Sequence, residues 1–144
     1  YIIHIIHIFS LEPKLQLSMK DIDNNVIVQK SFSFAIRCVN LCKYLREEKK
    51  EYEMSKQLIR SGTSIGANVK EALRAQSKAD FKSKLNIALK EASETEYWIE
   101  LLWRTQYINE TAAKSILADC VELIKLLTSI IKHISKEQQN NKSS

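Results

Sequence analysis

The chain has 144 residues, of which 44% are hydrophobic and 27% charged, so it is long enough to bury one core but short for two. It contains only two glycines and one proline, too few for the tight turns that a fold of many short strands requires. Lys and Arg outnumber Asp and Glu by 22 to 17, and the resulting formal charge of +5 favours acidic partners such as nucleic acid, although many basic domains bind none. These properties predict a single domain of long helices.

The first residues differ in character from the rest of the chain. The apolar run Tyr1–Phe9 is too short to cross a bilayer and lacks the basic flank and cleavage site of a signal peptide. Pro13 would end a helix there, and Met19 opens a polar stretch typical of a bacterial start. We therefore interpret residues 1–18 as a non-native or disordered extension. The remainder is predicted to form a helical domain at 19–137 and a disordered polar tail at 138–144.

Apolar residues recur at steps of three and four along four segments, which is the spacing of helices that bury one face. The first segment covers about 28–49, the second 54–72, and the third begins after Ser77, which fits an N-cap with Asp80 in the first turn. Asn109 is the next predicted cap. The positions predicted to face the core are Phe34, Cys38, Leu41 and Leu45; Met54, Leu58, Ser61, Ile65, Val69 and Ala72; Phe81, Leu85, Ala88, Ala92, Thr95, Ile99 and Leu102; and Ala113, Ile116, Cys120, Leu123, Leu127, Ile130 and Ile134.

Short connections between long helices predict an all-α, antiparallel up-down-up-down four-helix bundle. Some apolar residues lie off the core positions, namely Phe32, Ile36 and Val39 on the first helix and Leu117, Val121, Ile124 and Ile131 on the fourth. They indicate either a wide core stripe or a second buried surface, which in a soluble protein usually means self-association into a homo-oligomer.

Both glycines lie in the second helix, where each costs about 1 kcal/mol relative to alanine. Gly62 and Gly66 are one turn apart, and Ser61 and Ala67 lie beside them. Small residues in this arrangement leave a shallow groove that lets another helix backbone come close. We therefore predict that these four positions serve close helix packing or an oligomer interface. Lys56, Arg60 and Lys70 exclude a membrane-spanning version of the motif.

Several catalytic and metal-binding motifs are excluded by spacing. A phosphate-binding loop has four residues between its glycines and a Lys-Ser or Lys-Thr after them, whereas three residues separate Gly62 from Gly66 and no such pair follows. The Glu-x-x-His repeats of di-iron bundles are absent. Cys38, Cys42 and Cys120 have no CxxC spacing and fit small core residues in a reducing compartment. The histidine pair at positions 4 and 7 lacks a third ligand. We predict no catalytic residue, metal or cofactor.

A longer pattern carries a family resemblance. The run 52–72, Tyr-Glu-Met-Ser-Lys-Gln-Leu-Ile-Arg-Ser-Gly-Thr-Ser-Ile-Gly-Ala-Asn-Val-Lys-Glu-Ala, resembles the signature of the 23S rRNA intervening-sequence proteins. The later segments Asp80-Phe81, Lys84-Leu85, Ile87-Ala88 and 90–98 are also similar to that family. Together these segments extend over most of 19–136, whereas residues 1–18 lie outside the resemblance.

The resemblance implies a bacterial cytoplasmic protein whose helical bundle assembles into a barrel-like homopentamer. It also implies a gene often found within an insertion in the large ribosomal RNA gene. A related group, the accessory proteins of diversity-generating retroelements, shares the pentameric bundle and is associated with nucleic acid and a reverse transcriptase. The family implies no catalytic residues.

The third helix has its bases first and its acids later, which opposes the preference of the helix dipole. In the predicted topology its start lies beside the ends of the second and fourth helices, so one end of the bundle becomes basic. A ring of such ends suits phosphate backbones of RNA or DNA, although no aromatic residue is interleaved for base stacking. The alternatives are a solvated charged face and a protein-protein interaction or scaffold protein. The predicted nucleic-acid-binding residues are Lys70, Arg74, Lys78, Lys82, Lys84, Lys132 and Lys136.

Overall fold

The computed structural model describes residues 24–143, which form four α-helices and no strand. We label them α1 (Asn24–Glu47), α2 (Glu53–Ala72), α3 (Lys78–Arg104) and α4 (Glu110–Lys142). The all-α prediction is confirmed over this range. The predicted extension at 1–18 lies outside the described residues.

The predicted caps of α3 and α4 are both present. Ser77 Oγ accepts a hydrogen bond of 3.1 Å from the backbone N–H of Asp80, and Asn109 Oδ1 accepts one of 2.8 Å from that of Ala112. The Asp80 carboxylate accepts in turn from the N–H of Gln76 at 3.3 Å. Each bond satisfies a donor that lacks a partner inside the helix, which fixes where α3 and α4 begin.

The start of α2 is held by a residue that the sequence pattern did not single out. Tyr52 occupies the N-cap position without a side-chain hydrogen bond. The carboxylate of Glu51, which is only 7% exposed, accepts instead from the N–H groups of Glu53, Met54 and Ser55 at 2.8–3.0 Å. Three donors at the positive end of the helix dipole therefore share one buried carboxylate.

One hydrophobic core runs between the four helices. All seven predicted positions of α3 and all seven of α4 are buried. On α1 and α2 the predicted positions are also buried, except that Leu41 and Met54 are half-buried at the edge of the core. The spacing of three and four residues therefore identified the buried faces correctly.

Each helix packs against its neighbour in sequence, and α1 also packs against α4, so the packing is compatible with a bundle. The α1–α4 seam carries two exposed ion pairs. Lys30 Nζ lies 2.6 Å from Glu122 Oε1, and Arg37 Nη1 lies 2.6 Å from Asp119 Oδ2. Arg37 also donates to the carbonyl and hydroxyl of Ser115.

The Arg37→Ala substitution is expected to reduce the free energy of unfolding by no more than about 1 kcal/mol, because exposed ion pairs are screened and lose side-chain entropy when they form. Urea denaturation at low and high salt would measure it. A loss of several kcal/mol would contradict the view that the apolar core, and not these pairs, holds α1 in place.

The last helix is longer than the sequence pattern predicts. It continues through Lys142, although 138–144 was predicted to be a disordered tail. Once a helix is nucleated, each added residue gains a backbone hydrogen bond, and the polar residues at 138–142 do not interrupt it. None of the helices within 24–143 is long and apolar enough to cross a membrane.

Candidate functional site

An apolar groove runs along the outer surface between α1 and α2, with a volume of about 490 Å³. Phe32 and Ile36 project from α1 at its margin and are 57% and 49% exposed, although both are large and hydrophobic. On the α2 side the groove is bounded by Gly66 and Ala67. The groove therefore unites apolar residues of α1 that lie off the core positions with two of the small residues of α2.

Gly66 keeps the groove open because no side chain rises from it. A Cβ atom placed there would lie 3.4 Å from both the carbonyl oxygen and the hydroxyl of Ser31 on α1, which is ordinary to tight contact. That hydroxyl already donates to the carbonyl of Val28 at 3.1 Å. The position therefore tolerates a methyl group with little movement.

Gly62, one turn earlier, faces inward. A Cβ atom there would lie 2.5 Å from Cys38 Sγ and 2.9 Å from Cys38 Cβ, closer than real side chains approach. Ser61, also buried, forms a hydrogen bond of 2.9 Å with the Thr95 hydroxyl across the α2–α3 contact. The four small residues thus divide: Ser61 and Gly62 lie inside the domain, and Gly66 and Ala67 lie at the groove.

The apolar residues off the core positions of α4 behave differently from those of α1. Leu117, Ile124 and Ile131 are half-buried and pack against the core, and Val121 is half-buried. On α4 the wide-stripe interpretation therefore describes the structure. On α1, by contrast, Phe32 is exposed and lines the groove between α1 and α2, so it does not widen the core stripe.

The predicted basic residues lie on helix ends that contacts bring together. Lys78 at the start of α3 pairs with Glu137 near the end of α4 at 3.2 Å, and Lys84 pairs with Glu71 at the end of α2 at 3.0 Å. The hydrogen bond and charge of Glu71 raise the pKa of Lys84. We name this surface, formed by Lys70, Arg74, Lys78, Lys82, Lys84, Lys132 and Lys136, the lysine-rich end.

Acids occupy part of the lysine-rich end, which the sequence pattern did not indicate. Lys78 and Lys84 are both neutralised by carboxylates of neighbouring helices. Lys70, Lys132 and Lys136 are exposed, and Lys82 lines a shallow polar groove of about 450 Å³ with Lys90 and Gln138. Cross-helix ion pairs leave no local sequence signal, because their partners are 13 residues (Glu71 to Lys84) and 59 residues apart.

The three cysteines are buried and form no disulfide. Burial raises the pKa of the Cys42 thiol to about 11 and that of Cys120 to about 12, and it raises that of Cys38 further. The Cys42 and Cys120 thiols donate to the carbonyls of Ser55 and Ala92. No group of three or more His, Cys, Asp or Glu side chains within 24–143 could hold a metal ion.

Because only the thiolate reacts, the folded protein is expected to resist a disulfide reagent at pH 8 and to react at three thiols once denatured. An unfolded thiol ionises near pH 9.0, whereas these folded thiols keep their protons to about pH 11 or above. Their contribution to stability is therefore complete below pH 9 and falls as the pH rises above it. Rapid labelling of the native protein at pH 8 would contradict this.

These features define a small all-α domain of four helices with an exposed apolar groove and a lysine-rich end. The family described as 23S rRNA-intervening sequence protein matches residues 23–129. The match covers most of the chain, and the chain belongs to this family.

A crystal structure at 1.70 Å of a protein with unknown function from the S23 ribosomal protein family of Bacteroides thetaiotaomicron VPI-5482 is similar to the chain. The two are 62% identical, and the similarity covers 76% of this chain and 97% of that one with a TM-score of 0.75. No curated protein matches the chain.

Proposed function

We propose that this chain is a non-enzymatic assembly protein: an antiparallel up-down-up-down bundle whose copies join through the groove between α1 and α2 into a cyclic homopentamer. The groove, with Phe32 and Ile36 at its margin, is the observation that carries the proposal. Five copies are what the family resemblance implies, as are a cytoplasmic location and a gene in or near an rRNA insertion.

Contacts between neighbouring helices support the antiparallel arrangement. Residue numbers rise along one helix as they fall along the next: Lys30 and Arg37 of α1 pair with Glu122 and Asp119 of α4. Residue numbers also run in opposite directions between α2 and α3, where Ser61 contacts Thr95 and Glu71 contacts Lys84. They do so again between α3 and α4, where Lys78 contacts Glu137 and Ala92 contacts Cys120.

A second copy of the chain fits the groove by its chemistry. The walls are mainly apolar, with Lys70 of the lysine-rich end also lining the groove. Gly66 and Ala67 let a helix approach α2 closely, and burying Phe32 or Ile36 would contribute about 1.5–3 kcal/mol each. Monomeric soluble proteins rarely leave such large apolar side chains clustered in water.

Light scattering with the full chain would test the assembly. Phe32→Glu and Ile36→Glu are expected to reduce the mass to that of the 16.7 kDa monomer while helical circular dichroism is unchanged. Ile87→Glu, on α3 and outside the groove, is the matched control because Ile87 is also exposed, at 38%. A monomeric mass for the unmodified chain at micromolar concentration would refute the proposal.

The lysine-rich end suggests that the assembly binds RNA or DNA. Bases from three helix ends gather there, Lys132 and Lys136 among them are exposed, and a cyclic assembly would repeat this surface around its axis. Phosphate contacts release counterions, so affinity should fall steeply with salt. The resemblance to retroelement accessory proteins adds a reverse transcriptase as a further partner.

Lys132→Glu with Lys136→Glu is expected to weaken binding of structured RNA and duplex DNA about tenfold or more in a mobility-shift titration. The control pair, Lys43→Glu with Lys56→Glu, makes the same change in charge at exposed sites near the end of α1 and the start of α2, away from the lysine-rich end. Equal effects of the two pairs would argue against a localised site. Absence of any complex at low salt would favour the alternative, a scaffold that binds only protein.

A further inference from the structure

At the end of the domain opposite the lysine-rich end, a shallow cavity of about 440 Å³, open to solvent, lies where α1 and α3 finish and α4 begins. Three aromatic side chains line it, Tyr44 from α1 and Trp103 and Tyr107 from the end of α3. Because α1 and α3 are far apart in sequence, the sequence pattern did not place these side chains together.

The aromatic side chains are held by the fold. Trp103 and Tyr107 are half-buried and pack against the core, and the guanidinium of Arg104 lies 4.2 Å from the centre of the Trp103 ring. Tyr44 is 42% exposed at the mouth. A preorganised aromatic surface needs little ordering when it binds a planar ring.

The loop below these side chains is also fixed, at some cost. Gln106 adopts φ 66°, the left-handed conformation that glycine usually supplies at this point after a helix. Its N–H donates to the carbonyl of Trp103 and that of Tyr107 to the carbonyl of Leu102, both at 2.9 Å. A glycine would relieve the strain, whereas glutamine places a carboxamide at the cavity.

Polar groups complete the lining. The Gln106 carboxamide and that of Asn109 both line the cavity, and Asn109 is oriented because its Oδ1 accepts from the N–H of Ala112. Lys49 adds a cation at the rim, and Glu110 adds a carboxylate that pairs with Lys114 at 2.6 Å. Both carboxamides are exposed to water. An apolar guest would displace that water without replacing its hydrogen bonds, whereas a nucleobase offers donors and acceptors at its edge and a face that stacks.

We propose that this cavity binds one unstacked nucleobase of a single-stranded nucleic acid, stacked against Trp103 and hydrogen-bonded by Gln106 and Asn109, with Lys49 near its phosphate. The site is distinct from the lysine-rich end and supplies the base stacking that end lacks. Stacking of this kind contributes about fivefold or more to affinity per base.

The chain contains two tryptophans, Trp98 and Trp103. The test therefore uses the full chain with Trp98→Phe, so that Trp103 is the single tryptophan whose fluorescence is measured. Titration with adenosine 5′-monophosphate is expected to quench the fluorescence of Trp103 saturably. Ribose 5-phosphate, which has no base, is expected to cause no saturable quenching. Gln106→Gly is the decisive variant. It should raise the thermal midpoint by relieving the left-handed strain yet weaken nucleotide binding about twofold to tenfold through loss of the carboxamide hydrogen bond.

Two further measurements distinguish this cavity from the lysine-rich end and from a pocket for a protein side chain. Lys132→Glu with Lys136→Glu should leave mononucleotide binding at the cavity unchanged. The two sites can therefore fail or succeed independently of each other. No saturable quenching at millimolar nucleotide would overturn the proposal. Equal or tighter binding of a tyrosine-containing tripeptide would also overturn it, by assigning the cavity to a protein side chain.

Discussion

Gly62→Ala is expected to lower the free energy of unfolding by about 3 kcal/mol, although alanine is the better helix former by about 1 kcal/mol. The added methyl group would lie 2.5 Å from Cys38 Sγ, and Cys38 is fully buried, so its side chain has no solvent to move into. α1 and α2 must separate or Cys38 must leave its rotamer, and either change loosens the core. Urea denaturation followed by circular dichroism would measure the loss.

Gly66→Ala is the matched control in the same helix. Its methyl group would meet Ser31 at 3.4 Å, so within a single copy of the domain, as in the Phe32→Glu background, we expect no loss and a gain of up to about 1 kcal/mol from helix propensity. Combining Gly62→Ala with Cys38→Ala removes the sulfur contact but leaves the contact at 2.9 Å, and it should recover part of the loss. Equal behaviour of the two glycines would contradict the inward placement of Gly62.

Glu51→Ala is expected to cost about 2–3 kcal/mol. Three N–H groups at the start of α2 would lose a shared charged acceptor, and the Ser55 N–H is buried where water does not replace it. Chemical denaturation would give the size of the effect.

Two variants define the cause of that loss. Glu51→Gln keeps a carbonyl oxygen as an acceptor but removes the charge and one of the two acceptor oxygens, so it should lie between the alanine variant and the unmodified protein. Glu53→Ala changes an exposed acid in the same turn and should cost less than about 1 kcal/mol. If Glu53→Ala were as costly as Glu51→Ala, the helix dipole alone would account for the effect.

The sequence by itself determined the helices and their buried faces. Apolar spacing at three and four residues is a local property, so Leu85, Ala92 and Ile99 could be assigned to one face of α3 without knowing what they contact. Caps are local too, because Ser77 and Asn109 bond to donors three residues along the chain. The family followed from an uninterrupted run, 52–72.

The tertiary structure alone decided what each surface residue does, because contacts between helices join residues that are distant in sequence. Gly62 and Gly66 look alike in the sequence. In the structure a side chain at Gly62 would collide with Cys38 of α1, whereas a methyl group at Gly66 would meet Ser31 at an acceptable distance. Glu51 belongs to a charged stretch of sequence until the fold buries it. Lys78 and Lys84 acquire their acidic partners, and Tyr44 meets Trp103 and Tyr107, only when the helix ends come together.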